Sequence, residues 1–259
     1  MKQKIYQVDA FANRLFEGNP AMICPLEEWF SDELMQQIAA ENNLSETAFF
    51  VKKDSKYHLR WFTPKREVDM CGHATLATAY VLFEYMNYND KMIIFETKSG
   101  DLMVQKEGES FVMDFPVQMI VPCNISEHIE ETFALKPIAT FASMDYIVVF
   151  EDEKDILNAK PNLTLLKELD LRGVCITSRS EKYDFVTRFF APNYGIDEDP
   201  VTGSVFTQLA SYWSKKLEKK ILYAKQLSSR GGEVHCELVD NRVKLSGKCI
   251  KYLEGEIEI

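Results

Sequence analysis

Short alternations of apolar and polar residues fill most of this chain, and two long uncharged stretches interrupt them. Residues 4–11 read as a strand, and Ala21–Cys24 as the next one, after the turn signal Glu17-Gly18-Asn19-Pro20. A helical period takes over at Asp32–Asn42. Ser31 is suited to cap it, Asp32 and Glu33 favour its first turn, and Leu34, Met35 and Ile38 form its apolar face. β-prone runs return at Thr47–Val51 and Tyr57–Phe62, the second ending at Pro64. From Met70 to Phe83 nothing is charged except His73 when protonated, so a helix there is apolar all round and belongs in the middle of a domain. Its length of about 21 Å at 1.5 Å per residue suits the centre of a small barrel and is too short for a membrane. A second uncharged stretch runs from Pro200 to Ser214, and further helical patterns lie at Glu127–Phe133 and Ile156–Leu169.

The two uncharged stretches are preceded by matching sequence. Arg60-Trp61-Phe62-Thr63-Pro64 and Arg188-Phe189-Phe190-Ala191-Pro192 stand 128 residues apart. Other segments recur in the same order at offsets between 126 and 132: residues 18–24 against 144–150, Lys56-Tyr57 against Lys182-Tyr183, and residues 99–104 against 231–236. Such ordered self-similarity is the mark of an internal duplication. The fold class it predicts is α+β, with two similar domains, each a curved mixed β-sheet or barrel around a central apolar helix. The domains are expected at 1–118 and 119–259, with Pro116–Pro122 as the joint and a C-terminal tail able to cross back to the first.

Length and composition fit this reading. The 259 residues are 46% hydrophobic and 27% charged, enough for two substantial cores. A net charge of −10 argues against a nucleic-acid partner, whose phosphates call for a basic surface. No stretch approaches the roughly 20 apolar residues of a membrane span, and Asp9 interrupts any secretory apolar core near the start. Six cysteines without a C-x-x-C pair suit reduced thiols in a cytoplasmic protein, and no metal site is expected of them.

Duplication also separates structure from chemistry, because what the fold needs should occur twice. At an offset of 128, Cys71 falls opposite Asp199, His73 opposite Val201, and Glu46 opposite Arg172 or Gly173. These asymmetries supply a thiol, two carboxylates and an imidazole, the usual groups for proton transfer. Each also has a plain reading: Asp199 as a helix cap before Pro200, Cys71 as a small buried residue, His73 as a structural residue at a helix start, Glu46 as a loop acid. The starts of the two central helices would carry unpaired N–H groups suited to a carboxylate, and Gly72 and Gly203 would let it approach the backbone. A pseudo-twofold arrangement of the domains would bring those starts to one shared cleft.

Around these residues the chain resembles the phenazine-biosynthesis PhzF-like family, which is similar in fold to diaminopimelate epimerase. The resemblance is carried by Val8-Asp9-Ala10-Phe11, Gly18-Asn19-Pro20-Ala21, Leu44-Ser45-Glu46-Thr47-Ala48-Phe49, Cys71-Gly72-His73-Ala74-Thr75, Glu198-Asp199-Pro200-Val201-Thr202-Gly203-Ser204 and Ser229-Arg230-Gly231-Gly232-Glu233. It implies a homodimeric isomerase without cofactor, acting on a small carboxylated metabolite in an interdomain cleft. In the phenazine-pathway member the glutamate matching Glu46 moves a proton between carbons of dihydro-3-hydroxyanthranilate. The residues matching His73 and Asp199 assist, and Cys71, Gly72, Gly203 and Ser204 would lie at the substrate. Diaminopimelate epimerase opens each central helix with a cysteine; here only Cys71 stands at such a place, which argues against two-thiol racemisation. The alternatives are an amino-acid racemase or epimerase using Cys71, and a non-enzymatic ligand-binding protein on the same scaffold.

Overall fold

The computed structural model describes residues 1–259. The chain forms two compact units, Met1–Asp114 together with Ser246–Ile259, and Phe115–Leu245. The expected boundary at 118/119 thus falls a few residues earlier. The last strand, Cys249–Glu258, runs antiparallel to the first, Lys2–Ala10.

In the first unit the chain forms β1 (Lys2–Ala10), β2 (Asn19–Leu26), α1 (Asp32–Asn42), β3 (Glu46–Lys53), β4 (Lys56–Phe62), β5 (Glu67–Val68), α2 (Gly72–Tyr85), β6 (Met92–Thr97), β7 (Gly100–Glu107) and β8 (Ser110–Pro116). Pairing is antiparallel for β1–β2, parallel for β2–β3, antiparallel for β3–β4 and β4–β5, parallel for β4–β6 and antiparallel for β6–β7. Each parallel step is bridged by a helix, since parallel neighbours need a crossover. Ser31 caps α1 as its sequence suggests, its Oγ accepting from the Leu34 N–H at 3.2 Å. Helix α2 is buried without a break from His73 to Ala79 and again at Val81 and Leu82, so its uncharged sequence is explained by sheet on nearly every side.

The second unit contains β9 (Val121–Pro122), α3 (Ser126–Phe133), β10 (Ala139–Ala142), β11 (Tyr146–Val149), α4 (Glu153–Asn158), α5 (Leu163–Leu166), β12 (Val174–Arg179), β13 (Phe185–Ala191), β14 (Ile196–Asp199), α6 (Gly203–Leu217), β15 (Ile221–Gln226), β16 (Gly232–Val239) and β17 (Arg242–Gly247). The ladder repeats that of the first unit: β11–β12 parallel, β12–β13 and β13–β14 antiparallel, β13–β15 parallel, β15–β16 antiparallel. One expectation fails. The single helix over Ile156–Leu169 is broken into α4 and α5, because Pro161 disfavours helical backbone before it and Asn162 starts a new helix, its side chain accepting from Thr164 N–H at 3.0 Å.

The registers give the duplication atom by atom. Phe49 faces Arg60 and Ile176 faces Arg188, so Glu46 corresponds to Gly173 and Ser45 to Arg172. Each arginine makes a two-pronged pair with an acid on the next short strand, Arg60 with Glu67 at 2.7 and 2.9 Å and Arg188 with Glu198 at 2.6 and 3.0 Å, and each lies over a phenylalanine two residues on. The repeated Arg-x-Phe is therefore a structural clamp.

The same registers correct the alignment of the sequence at two places. Between clamp and helix the offset is 131, not 128, because the one-turn 3-10 helix Pro192–Tyr194 adds three residues to the second copy. Cys71 thus corresponds to Thr202, His73 to Ser204, and Asp199 to Val68, since Asp199 faces Phe189 as Val68 faces Trp61. On β2 and β11 the equivalent pair is Ile23 and Ile147, two residues away from the alignment of residues 18–24 with 144–150.

Candidate functional site

In the first unit, the expected residues Glu46, Cys71, Gly72 and His73 come together. Glu46 opens β3, Cys71 stands at the N-cap of α2, and Gly72 and His73 are the first two residues of that helix. Oε2 of Glu46 lies 3.0 Å from Nε2 of His73, and both side chains are close to nine-tenths buried. The contact is short but lacks hydrogen-bond alignment, so this buried oxygen has no hydrogen-bond partner in the chain. Sγ of Cys71 lies 3.5 Å from Nδ1 of the same imidazole. The Cys71 side chain makes no cap hydrogen bond to its helix, and its carbonyl accepts from the Thr75 N–H at 3.2 Å. A Cβ on Gly72 would meet nothing nearer than the Met113 methyl at 3.8 Å, so nothing inside the fold demands glycine there.

Burial sets the protonation of this group. It pushes the Cys71 thiol up to about 11, with the Glu46 charge adding to the rise and His73 opposing it, so Cys71 holds its proton at neutral pH. Burial by itself would lower the pKa of His73, but Cys71 and Glu46 hold it well above the usual imidazole range. One donor atom from each of Glu46, Cys71 and His73 lies within 4.8 Å of the others, a set that zinc could accept.

In the second unit, Asp199 ends β14 and Gly203 and Ser204 open α6. Asp199 is not the helix cap: Thr202 holds that position, and its hydroxyl donates to Oδ2 of Asp199. Gln226 fixes the turn, donating to the Asp199 carbonyl at 2.7 Å and accepting from the Thr202 N–H at 2.9 Å. Thr202, Gln226, Arg172, Asp145 and Gln208 were not among the expected site residues. Asp145 is fully buried and accepts from Arg172 Nε at 2.8 Å, Arg172 Nη2 at 2.5 Å and Gln208 Nε2 at 2.7 Å, while Arg172 Nη2 also donates to Ser204 Oγ at 2.9 Å. The sequence did carry one signal, since Gln208 is a strongly polar residue inside an uncharged helix and buried polar groups need partners.

The chain as a whole matches a known family. A family profile described as phenazine biosynthesis-like protein covers residues 8–255. The chain belongs to that family. Its relatives include an uncharacterized isomerase of Pseudomonas aeruginosa, 48% identical over 259 residues and the full length of both chains. The crystal structure of a PhzF-family phenazine biosynthesis protein of Enterococcus faecalis is 43% identical and superposes with a TM-score of 0.98, covering 100% of each chain. The hydroxyproline epimerase of Agrobacterium vitis, 8% identical, shares the fold with a TM-score of 0.62 over 99% of this chain and 92% of its own. The phenazine biosynthesis-like chain is thus an isomerase of the PhzF family with a diaminopimelate epimerase-like fold. None of its helices is long and apolar enough to cross a membrane.

Proposed function

We propose that this isomerase moves a proton on a small carboxylated metabolite without a cofactor, with Glu46 as the general acid/base. The observation carrying the proposal is the Glu46–His73 pair: a buried carboxylate oxygen 3.0 Å from an imidazole and without a hydrogen-bond partner in the chain, held at the start of a buried helix. A base that takes a proton from carbon and returns it elsewhere must keep a lone pair free for the substrate, and Oε2 meets that need. His73, whose pKa Cys71 and Glu46 raise well above the usual imidazole range against the effect of burial, orients the carboxylate and can donate to negative charge that develops on the substrate. The unpaired N–H groups at Gly72 and Gly203, the Ser204 hydroxyl and Asp199 are assigned to binding, with Asp199 held in orientation by Thr202.

Racemisation through Cys71 is the weaker reading. A racemase needs a second acid/base on the opposite face, and the residue equivalent to Cys71 is Thr202, while Cys71 itself keeps its proton to about 11. The two are separated by proton NMR in D2O, with the purified protein and a panel of carboxylated metabolites led by dihydro-3-hydroxyanthranilate and common amino acids. Deuterium should enter one compound with the wild type and with Cys71→Ala, and at least 100-fold more slowly with folded Glu46→Gln, a loss of about 10²–10⁴ being typical of a missing acid/base. Exchange that survives in Glu46→Gln and stops in Cys71→Ala would overturn the assignment.

A further inference from the structure

The arginine beside Ser204 lies outside the Glu46–His73 chemistry and outside the duplicated clamps. Arg172 sits just before β12, at the position where the first unit has Ser45, so nothing equivalent exists there. Its neighbour Gly173 cannot carry a side chain, because a Cβ would lie 2.5 Å from the Phe189 ring and 2.7 Å from the Phe190 carbonyl. The second copy therefore has no room for a counterpart of Glu46 and offers a cation one residue earlier.

We propose that Arg172 is the positioning residue that makes the site select a carboxylate, acting through Ser204 and through its own free edge. This rests on the assignment of Ser204 to substrate binding above. A guanidinium only donates. Because Nη2 gives a hydrogen to Ser204 Oγ at 2.9 Å, that oxygen accepts, and the hydroxyl hydrogen is left to be donated outward. The hydrogen bonds of the guanidinium to Asp145 and Ser204 use Nε and Nη2, which leaves Nη1 as a second donor. Asp145, fully buried and itself held by Gln208, takes Nε and Nη2 and so locks the guanidinium plane, which lies over the Phe189 ring at 5.3 Å. The charges of Asp145 and Asp199 both act on Arg172, so selection comes from the direction of the donors more than from net attraction. Two donors serve both oxygens of a carboxylate, which accept, whereas a carboxamide would turn its own N–H₂ against one of them. Lysine has no fork with which to hold Asp145, Ser204 and a ligand together.

The test uses benzoate and benzamide as probes, titrated by saturation-transfer NMR into wild type, Arg172→Lys, Ser204→Ala and Glu46→Gln, each first shown to be folded by thermal melting. Arg172→Lys keeps a cation against buried Asp145 and so guards against loss of the fold. Wild type should bind benzoate at least tenfold more tightly than benzamide. Arg172→Lys and Ser204→Ala should each weaken benzoate at least tenfold and remove the preference, and Glu46→Gln should keep both. For any compound that exchanges in D2O, Arg172→Lys should raise KM with kcat within about threefold. The proposal is overturned if folded Arg172→Lys keeps the preference, or if wild type fails to prefer the acid. Loss of the Glu46 assignment would instead show as an intact preference with no Glu46-dependent exchange.

Discussion

The sharpest test of the second unit's polar core is Asp145→Ala. Asp145 has no exposed surface and accepts three hydrogen bonds, from Nε and Nη2 of Arg172 at 2.8 and 2.5 Å and from Gln208 at 2.7 Å. Its removal leaves the guanidinium with the Ser204 hydroxyl as its remaining acceptor and the buried Gln208 amide with none. Breaking a buried charged pair costs about 3–5 kcal/mol, because the orphaned charge keeps its desolvation penalty. The Arg172 side chain is 30% exposed and water can reach part of it, so the low end, about 3 kcal/mol, applies. At roughly 2–4 °C per kcal/mol for a chain of this size, the melting temperature should fall by about 6–12 °C. Differential scanning calorimetry measures the shift, and urea unfolding by circular dichroism gives an independent free energy. Asp145→Asn should not rescue, because its amide N–H₂ would face Arg172 donors. A loss below about 1 kcal/mol for Asp145→Ala would mean that the cluster contributes no more than a surface ion pair, and the locked guanidinium would have to be given up.

Other predictions rest on separate observations. Cys71→Ala should turn over normally in whichever substrate the exchange panel reveals, and a folded but inactive variant would restore Cys71 to the chemistry. Alkylation of Cys71 by iodoacetamide should be slow at pH 7–8 and rise to an inflection near pH 11; because the Glu46 charge raises that pKa, Glu46→Gln should move the inflection down, and an upward move would contradict the electrostatics. Arg188→Met should destabilise more than Arg60→Met, by about 1–3 kcal/mol, since Arg188 also donates to the carbonyls of Ile156 at 3.1 Å and Ala159 at 2.7 Å, which would be left unsatisfied; chemical denaturation of the two variants decides it.

What the sequence carried best was local and repeated. The Ser31 cap, the helix over Asp32–Asn42 and the uncharged central helices are each written in consecutive residues, and each forms as those residues predict. The duplication was legible because both copies kept the Arg-x-Phe clamp. Pro161 stands in plain view, but the apolar period that continues across it reads as one helix where the chain forms two. The finer alignment of the halves was beyond reach for a physical reason. Strand side chains alternate with a period of two, so a slip of two residues on β2 and β11 leaves every apolar position on its own face and the pattern cannot register it. A three-residue turn at Pro192–Tyr194 likewise shifts the helix starts without disturbing either flank.

The candidate site divides along the same line. Its residue types were in the sequence by themselves: an acid before a strand, a cysteine and histidine at one apolar helix, an aspartate and serine at the other. Only the tertiary structure decided which of them meet, because Glu46 and His73 are separated along the chain by the three strands β3, β4 and β5 and become neighbours through the registers of β3 and the seating of α2. It also decided that Asp199 is oriented by Thr202 instead of capping its helix, and that Arg172 is held by Asp145 and Gln208. Those three side chains stand 27 and 36 residues apart along the chain and share no period, so their common burial, and the hydrogen bonds that burial requires, exist only once the sheet has folded around α6.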